Sequence, residues 1–172
     1  NTAASVSGDF QSFVITPGTL PFNVIYCIPG LVVSDLFASP KYPNDPDETY
    51  TITSMNTSLV PGFEGNNKAE NFGGWMVGKF IAQETGNHIF YMRSDDGSQL
   101  YLDDVLIAEE PGCCGAFDKI SSAPIFLVAG EVHDILAAYK EAGGGDFLQV
   151  AVKLESDPTP PNSLSPIGSA YL

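Results

Sequence analysis

Apolar and polar residues alternate with a period of two at 50–53, 78–82, 88–93, 99–102, 135–139 and 147–154, and each stretch is rich in β-branched or aromatic side chains. Successive side chains of an extended chain point to opposite faces, so this alternation predicts half-buried strands. Turn formers separate them: Glu84-Thr85-Gly86-Asn87, Asp95-Asp96-Gly97, Val128-Ala129-Gly130 and Gly143-Gly144-Gly145. Short strands joined by hairpins predict an all-β, antiparallel sandwich or barrel. Residues 40–48 are dense in Pro, Asp and Asn and predict a long surface loop. The tail from 157 opens like a linker, yet Ile167, Tyr171 and Leu172 are apolar and would suit a returning edge strand.

Composition sharpens this picture. A chain of 172 residues can build one sizeable core, and a single domain over 1–172 is expected. Seventeen Gly and 13 Pro argue for many turns, and 11 Phe with seven Tyr argue against disorder. Seven basic against 21 acidic residues give a net charge of −14, which repels phosphate backbones and anionic lipid headgroups. Nucleic acid and membrane insertion are therefore not expected. Acidity alone proves no metal, since solubility outside the cell explains it as well. Asn1 opens no charged-then-apolar leader, so the chain reads as a mature protein or an excised domain.

Three cysteines make no disulfide framework and no CxxC zinc arrangement. Cys113 and Cys114 are neighbours between Gly112 and Gly115. The flanking glycines permit a vicinal disulfide. Two free thiols, or one of them paired with Cys27, are the alternatives. Asn56-Thr57-Ser58 fits a glycosylation sequon.

The sharpest chemical feature is Ser94-Asp95-Asp96-Gly97, which ends one alternating stretch and turns into the next. Adjacent carboxylates on a strand point to opposite faces, so serving one cation requires an unusual peptide geometry at the strand end. Calcium suits such a pair because it takes six to eight oxygen ligands and tolerates irregular geometry. The plainer reading is a hairpin whose Asp side chains cap backbone amides. A second feature is Glu141-Ala142-Gly143-Gly144-Gly145-Asp146-Phe147, where the glycines free backbone carbonyls to turn toward a ligand. Neither segment has EF-hand spacing, so any calcium site must be assembled from both.

The run from Gly86 through Arg93-Ser94-Asp95-Asp96-Gly97 to Leu100-Tyr101-Leu102-Asp103 resembles the signature of the anthrax protective-antigen-type domain, the PA-fourteen domain of yeast flocculins, bacterial adhesins and glycosidase inserts. Ser39-Pro40-Lys41-Tyr42-Pro43, Gly74-Trp75-Met76-Val77-Gly78-Lys79-Phe80 and the later Tyr139-Lys140-Glu141 segment agree with it. The resemblance covers most of 31–154. It implies a jelly-roll-like antiparallel β-sandwich with long loops. It further implies that Asp95 and Asp96, joined by a cis peptide, hold Ca2+ while a later loop adds oxygens, here Asp146 and the Gly144 and Phe147 carbonyls. In lectin members the calcium takes vicinal hydroxyls of a sugar, which makes Asp95, Asp96, Gly144, Gly145 and Asp146 the expected ligand-binding set. Apart from the resemblance, the placement of Cys113 and Cys114 between strands suggests that they form an apolar plate at its rim.

The expected function is thus calcium-dependent binding of cell-surface glycans or polysaccharide by an extracellular, monomeric domain of a larger adhesin. The alternative is a non-catalytic interaction module of a secreted protein or carbohydrate-active enzyme. Catalysis is not expected. Glycoside hydrolysis needs carboxylates about 5–9 Å apart across a cleft, which neighbours in sequence cannot supply. No Gly-x-Ser-x-Gly elbow or HExxH occurs, and His88 and His133 fall within strand-like stretches.

Overall fold

The computed structural model describes residues 16–63, 68–113 and 115–172. Its strands are β1 (Leu20–Ile25), β2 (Glu48–Ile52), β3 (Phe72–Ile81), β4 (Gly86–Asp95), β5 (Gly97–Leu102), β6 (Val105–Glu110), β7 (Ile120–Ser121), β8 (Ile125–Leu127), β9 (Val132–Glu141) and β10 (Phe147–Leu154). One antiparallel sheet runs β2-β1-β3-β9-β5-β6, and the second runs β10-β4-β7 with β8 also on β4. The fold is the antiparallel β-sandwich expected, with two separate sheets and no closed barrel among the described residues.

The core lies between the sheets. Phe22, Met76, Leu100 and Tyr139 face it from one side, and Phe90, Met92, Leu148 and Val150 from the other. Burying an aliphatic or aromatic side chain of this size contributes about 1.5–3 kcal/mol. The aromatic rings meet edge to face, as Phe22 does with Phe63 and Phe72 with Tyr139, an arrangement their quadrupoles favour. Gly74 is needed where β3 passes under them: a Cβ there would stand 2.6 Å from the Tyr139 ring and 2.8 Å from that of Phe22.

A second cluster, Ile25, Leu36, Trp75, Tyr101, Leu136 and Ala138, packs on the outer face of the larger sheet. It is covered by a short helix, α1 (Val33–Phe37). Strands β1, β3 and β9 are therefore buried on both faces over part of their length. That hides the two-residue period in β1, which the alternation does not predict.

Residues 40–48 form the expected loop, entering β2 at Glu48. In place of an edge strand, the tail holds one bridge, Gly168 to Ser54, and two 3-10 turns, Pro161–Ser163 and Ser169–Tyr171. Pro158, Pro160, Pro161 and Pro166 lack the N–H donors a ladder needs. Ile167 and Leu172 are nonetheless buried in the main core. Asn1 and the residues through 15 lie outside the described set.

None of the four turns expected as hairpins joins paired strands: β3–β4, β4–β5, β8–β9 and β9–β10 each pass from one sheet to the other, because the chain must cover both sides of the core, and two of these four lie at the same end of the sandwich. β4 passes to β5 through Asp96 alone, and β9 passes to β10 through 142–146. Register holds them side by side: Phe147 pairs with Asp95, and Lys140 pairs with Gly97.

Candidate functional site

Asp95 ends β4, Asp96 follows, and the peptide between them is cis. A carboxylate oxygen of each and the Cys113 sulfur all lie within 4.8 Å of one another. Backbone and hydroxyl contacts fix the turn. Ser94 Oγ donates to the Asp96 carbonyl at 2.6 Å and stands 2.6 Å from Ser98 Oγ. The Ala142 N–H donates to Asp96 Oδ2 at 3.1 Å. The Asp96 side chain thus takes an amide from the neighbouring crossover, tying the two connections together.

Two further acids are buried at this end. The Asp146 Oδ2 accepts the Lys68 N–H, and its Oδ1 has no hydrogen-bond partner among the described residues. Among the described residues the Glu141 carboxylate has only the Gly143 backbone N–H near it, short of full hydrogen-bond geometry. Burial pushes the Glu141 carboxyl up to about 8, reinforced by Asp96, Asp146 and Asp95. Burial also pushes Asp146 up to about 6, with Glu70 and Asp95 adding to the effect and amides at Lys68 and Ala69 opposing it. Asp95 is raised by burial and by Asp96. The adjacent cation, Lys140, is buried, donates its Nζ to the Glu141 carbonyl at 2.6 Å and has its pKa lowered by burial. Buried carboxylate oxygens without donors are costly. A hard cation is the partner this all-oxygen set fits.

The predicted residues divide. Asp95 and Asp96 come together. Asp146 lies beside them, outside the tight group that they form with Cys113. Gly144 is exposed with φ of +118°, a backbone that favours glycine. Gly145 is half-buried, and half-buried Phe147 stands opposite Asp95. Cys113 is disulfide-bonded, so its sulfur is no thiolate ligand and instead walls the acid pair. Cys27 is a free, exposed thiol, and Cys114 lies outside the described residues.

Sequence reasoning passed over Glu141 and Arg93. Glu141 continues the inward parity of Ala137 and Tyr139, an acid where an apolar residue belongs, but residues 135–139 are apolar at both parities, so the sequence does not show which one points inward. Arg93 is the chain's sole arginine, two residues before the pair. Asn56 of the sequon is half-buried, its Oδ1 accepting the Ser58 N–H and the Gln149 side-chain amide. His88 is buried, with its ring edge-on to Phe80.

A family profile described as PA14 domain matches residues 29–162. No curated protein matches the chain in sequence. Among solved structures, the PA14 sugar-binding domain from an RTX adhesin shares 16% identity at a TM-score of 0.68, over 91% of this chain and 98% of that one. The epithelial adhesin 6 A domain from Candida glabrata, in complex with Galβ1-3GlcNAc, shares 18% at 0.59 over 92% and 88%. An anti-sigma factor domain-containing protein from Clostridium clariflavum shares 16% at 0.63 over 88% of this chain and 45% of its own, so the chain spans under half of that protein's length. At these identities the likeness carries the fold.

Proposed function

The chain belongs to the PA14 domain family, and on that premise we propose that it is a calcium-dependent carbohydrate-binding domain, displayed outside the cell as the ligand-binding module of an adhesin. The observation that carries the proposal is the convergence of the Asp95 and Asp96 carboxylates beside the buried Asp146 carboxyl, whose Oδ1 has no donor among the described residues. Asp95 and Asp96 would hold Ca2+, with Asp146 and the Gly144 and Phe147 carbonyls completing the shell. Glu141 would add negative charge behind it. Bound calcium supplies a Lewis-acidic centre with positions for sugar hydroxyls.

The chain's own groups do the rest. Asp96 is oriented by the Ala142 amide, and the exposed glycine loop leaves room for a sugar ring above the acids. The Cys113 sulfur, with Cys114 as its bonded neighbour in this reading, offers an apolar edge against the ring face. Relatives whose names include sugar binding or a bound disaccharide support a glycan partner.

A glycan array probed in calcium should give binders that vanish with chelator and with Asp96→Ala. An array with no calcium-dependent binder overturns the proposal. The second reading is a non-catalytic interaction module of a larger protein, consistent with the 45% of the anti-sigma factor domain-containing protein that the chain spans. It predicts a protein partner and no glycan. Release of product from a labelled glycoside library would instead mark an enzyme.

A further inference from the structure

The outer face of the smaller sheet continues past the acid pair into a second polar position that the reading above leaves unused. Asp95 and Arg93 stand two residues apart on β4, hence on one face and about 7 Å apart along the strand. Their register partners Phe147 and Gln149 occupy the same face of β10. Arg93 is half-buried and its guanidinium is held in place from two sides. Nε donates to Gln149 Oε1 at 2.8 Å, and the Gln149 amide donates in turn to Asn56 Oδ1 at 2.9 Å. The guanidinium carbon lies 4.7 Å from the centre of the Phe117 ring and 6.0 Å from that of Phe147. Phe117 itself is buried.

This arrangement fixes the plane of the fork while committing only one of its nitrogens. Among the described residues neither Nη has a hydrogen-bond partner. Structural arginines in a chain of net charge −14 have carboxylates in plenty to pair with, yet Arg93 forms no ion pair among the described residues. A guanidinium held by an amide and a ring, with its terminal donors free, is preorganised for a planar, bidentate acceptor.

We infer that Arg93 is a specificity-determining residue for a carboxylate-bearing sugar, a uronic or sialic acid unit placed next to the sugar that the cation takes. The Nη donors engage the ligand carboxylate, and Gln149 and Phe117 are positioning residues that keep the fork in plane. The separation from Asp95 is one that a single sugar unit spans. The ligand is therefore an acidic oligosaccharide, not a neutral one. This rests on the calcium-lectin reading and goes beyond it by naming the glycan class.

The test is an array of matched pairs, each acidic oligosaccharide printed beside its methyl ester, probed with the full chain in calcium and in chelator. The acid member of a bound pair is expected to bind at least about ten-fold tighter than its ester, as a charge-assisted bidentate contact would give. Arg93→Gln should collapse that preference to near unity, and Arg93→Lys, which keeps the charge without the fork, should fall between. Calcium-dependent binding with no acid-over-ester preference overturns the inference and leaves the lectin reading standing. A preference that persists in Arg93→Gln also overturns it. Absence of any calcium-dependent binding overturns both. The wild-type comparison of acid with ester stands even if a variant fails to fold.

Discussion

Glu141 and Asp146 keep carboxylate oxygens in the interior with too few donors to satisfy them, and the cation the site fits would supply the missing partner. A side chain kept at such cost should behave asymmetrically on substitution. Glu141→Gln keeps the shape of the side chain, which burial already holds mostly neutral near pH 7, but removes the carboxylate that a bound cation would ionise. The variant is therefore expected to melt no lower than wild type in chelator, yet to bind calcium at least about ten-fold more weakly, through loss of one close carboxylate. Melting curves across a calcium titration measure both quantities, and unchanged calcium affinity would remove Glu141 from the site. Asp96→Ala should abolish the calcium-induced shift altogether. Legibility at this scale was uneven. The pair Asp95 and Asp96 stood out because two acids precede a turn glycine, whereas Glu141 hid in a stretch whose inward parity shows only once both faces of β9 are known.

At the level of elements, close approach and burial decide which substitutions matter. Gly74→Ala puts a methyl group into the Tyr139 and Phe22 rings and should cost about 1–3 kcal/mol by overpacking. Ile167→Ala opens a cavity under the tail and should cost about 2–5 kcal/mol. Both are read from urea denaturation midpoints at fixed calcium. A neutral Ile167→Ala would mean that the tail contributes no packing. Strands β4, β5 and β10 were legible nearly to their ends, because each has a core face and an outer face that differ in polarity. β1 and α1 were not, since β1 is covered on both sides and five residues of helix carry no full amphipathic period. The short strands β7 and β8 owe their existence to β4, whose edge they share.

For the whole molecule, cation binding and folding are expected to be linked. If calcium binds only the folded chain, stability should grow by about 2.7 kcal/mol at a calcium concentration a hundred times its Kd. Thermal unfolding followed with added calcium and then chelator checks this, and a midpoint indifferent to calcium would count against the proposed site. The sequence by itself determined the class of fold and the one dipeptide on which the site turns, because alternation, turn glycines and adjacent acids are local properties; it did not determine the pairing, since the turns at 84–87, 95–97, 128–130 and 143–145 pass between sheets where hairpins were expected. Tertiary structure alone decided the rest. The crossovers at Asp96 and at 142–146 lie 46 or more residues apart in the chain and meet only because β4 pairs with β10 and β5 with β9. Arg93 acquires its ring from a third segment, at Phe117. Side chains brought together by register between distant strands leave no trace in local spacing, and electrostatic cost is set by burial, which is a property of the assembled sandwich.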